Sequence, residues 1–213
     1  MTVRGIKSRL TGMRQVTVAV LASMVFFVSS IAFGEDTSGS GPCYYLLGSV
    51  GYSGLAFSGQ IQNYVNSLAP QGASINIPYG GGVGAYYSPD NHLLLGGTVT
   101  LALDEYVGTT SSSFGTTANV GGVVIATYSA SLMYFFNSAS NSGFFGRADI
   151  GYGYAVDPSP DFMVGLAMLG GAGYNLKLSP HVGLFGFVAD SYLTDAQANN
   201  VLVDLGILVR IGS

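Results

Sequence analysis

The segment from Val201 to Ile211 constrains the chain more than any other stretch. Val201, Val203, Leu205, Ile207, Val209 and Ile211 alternate with Leu202, Asp204, Gly206, Leu208 and Arg210. Successive side chains of a β-strand point to opposite faces. As a strand, this segment therefore presents one unbroken aliphatic surface and a second surface that carries an Asp and an Arg. Charged residues make up only 8% of the chain, against roughly a quarter in ordinary soluble domains. A strand with lipid against its aliphatic face and a polar barrel interior behind the other satisfies both observations.

Asp204, Gly206, Val209 and Ile211 stand as polar-x-Gly-x-x-apolar-x-apolar. This resembles the C-terminal assembly signal of bacterial outer-membrane β-barrels, whose pattern usually ends on an aromatic residue. Here Ile211 takes that place, followed by Gly212 and Ser213. The resemblance implies recognition by the barrel-assembly machinery.

At the other end, Arg4, Lys7, Arg9 and Arg14 precede an uncharged run from Val16 to Phe33, then Gly34-Glu35-Asp36. A basic start, an apolar centre and small residues near Ala32 and Gly34 describe a cleavable signal peptide over residues 1–34. The alternative is a single transmembrane helix anchoring a periplasmic domain. Residues 35–42 are rich in turn formers and are expected to be a flexible periplasmic lead-in, and residues 43–213 to be the barrel domain. Beyond residue 34 the chain keeps three basic residues, Arg147, Lys177 and Arg210, against eleven acidic ones, a net charge of −8. Nucleic-acid affinity comes from neutralising phosphates with Lys and Arg, so a nucleic-acid partner is excluded. The single cysteine, Cys43, permits no disulfide within the chain and no cysteine metal cage. Pro42 before it argues against a lipid-modified N-terminus and for a plain residue at the start of a strand.

From Cys43 onward, apolar runs alternate with turn-rich gaps, which predicts eight strands: 43–55, 79–88, 93–104, 120–136, 143–156, 162–176, 181–193 and 201–211. The gaps at 89–92, 137–142 and 177–180 are tight and rich in Pro, Asn, Asp and Ser, which preset turn geometry or bond their own backbone. Those at 56–78 and 105–119 are long. Tight gaps on one side and longer ones on the other are the pattern of periplasmic turns and extracellular loops. The expected fold is an all-β, eight-stranded, antiparallel up-and-down transmembrane barrel. A soluble barrel is the alternative, but the more polar faces hold Gly, Ser, Thr and an occasional charge, too little charge for a soluble exterior. Tyr44, Tyr45, Tyr79, Tyr134, Phe135, Phe136, Phe144, Phe145 and Tyr192 gather near the expected strand ends, as in the aromatic girdles of membrane barrels.

Chemistry is sparse. His92 and His181 fall at expected periplasmic turns without candidate ligands nearby in sequence, so no catalytic residue, metal site or cofactor is expected. The glycine runs at 80–84 and 170–173 lack the following helix that a phosphate loop needs. The charges expected in the lumen are Asp104, Arg147, Asp149, Asp190, Asp204 and Arg210. Charges in a confined interior require pairing or hydration, and Arg147 with Asp149, and Arg210 with Asp204, share a strand face. In the first long gap Ile61, Tyr64, Val65 and Leu68 follow helical spacing, a short amphipathic helix that would cap the barrel or contact a partner.

Export signal, strand count, loop asymmetry and C-terminal motif together resemble the small OmpA-like, OmpX-like and opacity-protein group over 43–211. The resemblance implies a monomer in a Gram-negative outer membrane, in contact with lipid and lipopolysaccharide. It also implies a structural or surface-interaction role, with any extracellular partner engaged by the loops. A narrow conduit for small or apolar solutes, as in the similar OmpW-like barrels, is the alternative.

Overall fold

In a computed structural model of the chain, the described residues are 43–59, 63, 66–67, 78–90, 92–112, 115–136, 142–156 and 162–211. They form eight strands: β1 (Cys43–Phe57), β2 (Tyr79–Ser88), β3 (Leu93–Ser112), β4 (Gly115–Phe135), β5 (Gly143–Val156), β6 (Phe162–Lys177), β7 (Val182–Leu193) and β8 (Ala198–Ile211). Each strand pairs antiparallel with the next, and β1 pairs with β8 from Tyr44↔Ile211 to Phe57↔Ala198, closing the barrel. Closure removes the unpaired edges that make open sheets prone to aggregate. The expected signal peptide, the lead-in at 35–42 and the helical spacing at Ile61, Tyr64, Val65 and Leu68 lie outside the described residues.

Alternation decides the two faces. On β8, Leu202, Asp204 and Leu208 are buried in the barrel, while Val201, Val203 and Leu205 are exposed, Leu205 to 66%. Other strands add Val50, Leu101, Leu132, Ile150, Val164, Leu166, Leu184 and Val188 to the exposed surface. Monomers in water do not carry an apolar belt of this extent, and the fold is a transmembrane β-barrel.

Two sets of aromatic side chains border the belt. At the end bearing the tight turns, Tyr44 packs on Tyr87 with ring centroids 5.7 Å apart, Tyr134 on Phe136 at 5.6 Å, and Phe144 on Tyr174 at 4.9 Å. Toward the other end, Tyr52, Tyr128, Tyr152 and Tyr192 are exposed, and Tyr128 stacks with Tyr154 at 6.2 Å. Along β5, Phe144 and Tyr154 are separated by ten steps. Strand rise and tilt turn this into about 25 Å along the barrel axis, the height of the apolar band of a membrane barrel. Three aromatics expected in the girdle are not there: Tyr45, Phe135 and Phe145 are buried in the lumen. A one-residue difference in parity separates them from Tyr44, Phe136 and Phe144, and the burial of the alternating partners fixes it.

The tight turns follow their residues. In the β2–β3 turn the Asp90 carboxylate accepts hydrogen bonds from the backbone N–H of His92 and Leu93, both at 2.7 Å. These two bonds hold its pKa below the ordinary aspartate value. In the β6–β7 turn the Ser179 hydroxyl accepts from the N–H groups of His181 and Val182.

The largest departure from expectation concerns residues 105–119. The sequence predicts a loop; instead β3 and β4 run on as a paired hairpin to Ser112↔Gly115. β2 accompanies β3 only to Leu103, and β5 accompanies β4 only to Val124. Beyond those points the hairpin stands as a two-stranded ribbon, about 25–30 Å long from the strand rise. The segment is rich in Thr and holds Tyr106 and Val107, residue types that suit a pleated backbone. It lacks the alternation of apolar and polar residues that marks the other strands in the sequence. β8 likewise begins at Ala198, not 201, which shortens the last connection to a turn over 194–197 with Gln197 at φ 44°.

A closed barrel of this kind resists unfolding by detergent. The purified protein, kept unboiled, is expected to migrate differently from the boiled protein on a dodecyl sulfate gel. Identical migration, under conditions where circular dichroism shows β-structure, would exclude a closed barrel.

Candidate functional site

A barrel of eight strands has an interior just wide enough for side chains, and here it is filled in layers. At the turn-bearing end, Tyr45, Leu47, Tyr86, Leu94, Met133, Phe135, Phe145, Phe185, Phe187 and Leu208 form one buried apolar cluster. Phe145 is its hub, with ring centroids 5.3 Å from Phe135, 6.2 Å from Phe185 and 5.8 Å from Phe187. Glycines on adjacent strands make room for these rings: a Cβ at Gly173 would lie 2.5 Å from the Phe145 ring, and one at Gly206 would lie 2.4 Å from that of Phe185. At the opposite end, Ala102, Val123, Ile125, Ala155, Ala167, Leu193, Ala196 and Ala198 form a second cluster of mostly small side chains.

Polar groups occupy the level between. Arg147, reached from β5, donates to Asp149 through Nε at 3.0 Å and through Nη2 at 2.5 Å. Asp149 also accepts from the hydroxyls of Thr98 at 3.0 Å and Ser131 at 2.5 Å, and Ser131 shares a hydrogen bond with the Tyr86 hydroxyl at 2.9 Å. The Arg147 guanidinium lies 5.4 Å above the centre of the Phe187 ring, a cation–π placement. Both partners of the ion pair are almost wholly buried. With every Asp149 oxygen bonded and a bidentate guanidinium opposite, the pair meets the geometric condition under which a buried pair offsets its desolvation.

Across the lumen, Ser49 donates to Asp204 at 2.8 Å, and Ser53 donates to Asn200 at 2.9 Å, tying β1 to β8 by side chains as well as backbone. Asp104 is fully buried near the small-residue cluster. A cavity of about 20 Å³ bounded by Thr127, Ser129, Asp149, Ser191 and Asn200 has room for one or two water molecules and none for a solute.

The sequence-predicted lumen residues therefore divide. Asp104, Arg147, Asp149 and Asp204 face inward and are buried. Asp190 does not: Phe185, Phe187 and Ala189 take the inward positions of β7, which turns Asp190 outward. It lies two residues below Tyr192, close to the interface, where an acid on the lipid face costs about 0–1 kcal/mol. Arg210 shares the inward parity of Asp204, but six residues of strand separate them by about 20 Å. Its Nε and Nη2 instead lie 3.1 and 2.8 Å from Cys43 Sγ. Of the C-terminal motif, Asp204 and Gly206 hold positions in the seam with β1, facing Gly51 and Ser49, while Val209 and Ile211 pair with Leu46 and Tyr44.

Sequence reasoning missed the hydroxyl and amide members, Ser49, Ser53, Tyr86, Thr98 and Asn200. Asn200 fell in the expected last gap, and for the others the partners that would meet depended on strand register. Among the described residues no group of three or more His, Cys, Asp or Glu side chains is placed to hold a metal ion.

No protein-family model matches the sequence, and no curated protein does either. Solved structures do. The structure of Ail, the attachment invasion locus protein of Yersinia pestis, in complex with the heparin analogue sucrose octasulfate, matches with 15% identity over 81% of this chain and 100% of that one, at a TM-score of 0.49. Neisserial surface protein A matches with 15% identity over 79% and 98%, TM-score 0.46. The outer membrane protein OprG of Pseudomonas aeruginosa matches with 10% identity over 82% and 97%, TM-score 0.40.

Proposed function

We propose that this is a non-enzymatic protein of a Gram-negative outer membrane whose function is carried outside the lipid, by its extracellular connections. The packed lumen carries the reading. The aromatic cluster around Phe145 fills the turn-bearing end and the polar layer above it is tied together around the Arg147–Asp149 pair, so the interior acts as a core and not as a path. The β3–β4 ribbon, rising beyond its neighbours on the side opposite the tight turns, is the feature best placed to meet a partner. The assignments of monomeric state, lipopolysaccharide contact and delivery by the assembly machinery belong to the same proposal. They draw support from the apolar belt and from the β8 motif at the closing seam.

Planar-bilayer recording on the refolded protein tests it. No discrete stable openings are expected from the wild type. Stepwise conductance would move the function into the lumen and favour the narrow-channel reading.

A further inference from the structure

The lumen is not filled evenly along its length. Phe135, Phe145, Phe185 and Phe187 pack its turn-bearing end. Toward the other end the walls carry shorter side chains: Thr127 and Ser129 on β4, Ala167 on β6, Ser191 on β7 and Asn200 on β8. Short side chains in a barrel of fixed strand number leave space between them, and the cavity of about 20 Å³ is that space.

Some of the polar groups around it already have partners. Both oxygens of Asp149 are engaged by Arg147, Thr98 and Ser131, and Thr127 shares a hydrogen bond with Thr100. Asn200 is only 6% exposed; its Oδ1 accepts from Ser53, and its backbone carbonyl accepts from Ser191. The two hydrogens on Asn200 Nδ2 and the hydroxyl of Ser129 have no hydrogen-bond partner among the described residues. Both side chains line the cavity. A buried amide nitrogen without an acceptor is costly, and native interiors rarely leave one so.

We propose that this cavity binds water, which bridges Asn200 on β8 to Ser129 on β4. The chemistry selects a small neutral ligand that both donates and accepts. The Asn200 amide offers hydrogens where a metal cation needs oxygens, and the Asp149 carboxylate in the wall disfavours an anion. The volume suits water and nothing larger. Water there accepts from Asn200 Nδ2 and from the Ser129 hydroxyl, and donates to the lone pairs that the Thr127 and Ser191 oxygens retain. That is the set of two to four partners a buried water takes up. Because Asn200 also holds Ser53, the water carries the tie between β1 and β8 across the lumen to β4.

Oxygen-17 magnetic relaxation dispersion on the folded protein in detergent micelles tests this, since it registers long-lived internal water and ignores exchange of hydroxyl and amide hydrogens. Ala167 is buried and lines the cavity, so Ala167→Val places methyl groups in the space the water needs. A dispersion step is expected from the wild type, and a loss of amplitude from Ala167→Val that keeps the heat-modifiable gel shift. No step in the wild type, or an unchanged step in the folded variant, overturns the proposal. Should Ala167→Val lose the gel shift, crystals of the wild type decide. Solvent density linking Asn200 Nδ2 to Ser129 Oγ is then expected, and a site without it overturns the proposal.

Discussion

Arg147→Leu is expected to destabilise the barrel by about 3–5 kcal/mol, because it leaves the Asp149 carboxylate buried without its counter-charge. Thr98 and Ser131 would still donate to that carboxylate, but two neutral hydroxyls do not replace a bidentate guanidinium. The double variant Arg147→Leu with Asp149→Leu should recover much of the loss, since an apolar pair in an already apolar lumen removes both desolvation penalties. The chain has no Trp, so unfolding in urea is best followed by far-ultraviolet circular dichroism or by the gel shift. A loss below about 1 kcal/mol for the single variant would mean that the pair is hydrated and that the lumen is more open than its packing shows.

Gly206→Val is expected to prevent formation of the heat-resistant barrel altogether. A Cβ there would lie 2.4 Å from the backbone oxygen of Gly48 and 2.4 Å from the Phe185 ring. The ring could swing; the backbone oxygen belongs to the seam that closes the barrel and cannot move without breaking it. Gly170→Ala is the matched control. It faces outward on β6 with nothing within 4 Å of an added Cβ, and should fold as the wild type does. Equal yields of folded protein from both variants would show that lumen glycines are not required for ring packing.

The fold was legible wherever the two faces of a strand meet different media. Alternation along 93–104, 143–156 and 201–211 marked strands because lipid selects one face and the lumen the other. The same logic failed at 105–119. There the sequence shows no period-two contrast, and only the β-propensity of its Thr residues, with Tyr106 and Val107, remains as a signal. Asp190 was misplaced by assuming that any charge in an apolar strand must point inward. The bulk of Phe185 and Phe187 on the other parity was the stronger constraint, and depth near the interface makes an outward acid tolerable. The Arg147–Asp149 pair was readable from two-residue spacing on one face. Ser131, Thr98 and Tyr86 were not, because Ser131 and Thr98 reach Asp149 from two other strands and Tyr86 reaches Ser131 from a third.

Seven of the eight seams join strands that follow one another in sequence, and those hairpins can form as soon as their residues are available. The eighth joins β1 to β8, whose paired residues lie well over a hundred positions apart. Loop-closure entropy opposes such a contact until everything between is ordered. The rate of maturation is therefore set by one late event, and until it happens the growing sheet exposes two unpaired strand edges to any other chain. Variants that weaken the Ser49–Asp204 and Ser53–Asn200 contacts act on that interval, lengthening the life of an open, aggregation-prone intermediate more than they shorten the life of the finished barrel.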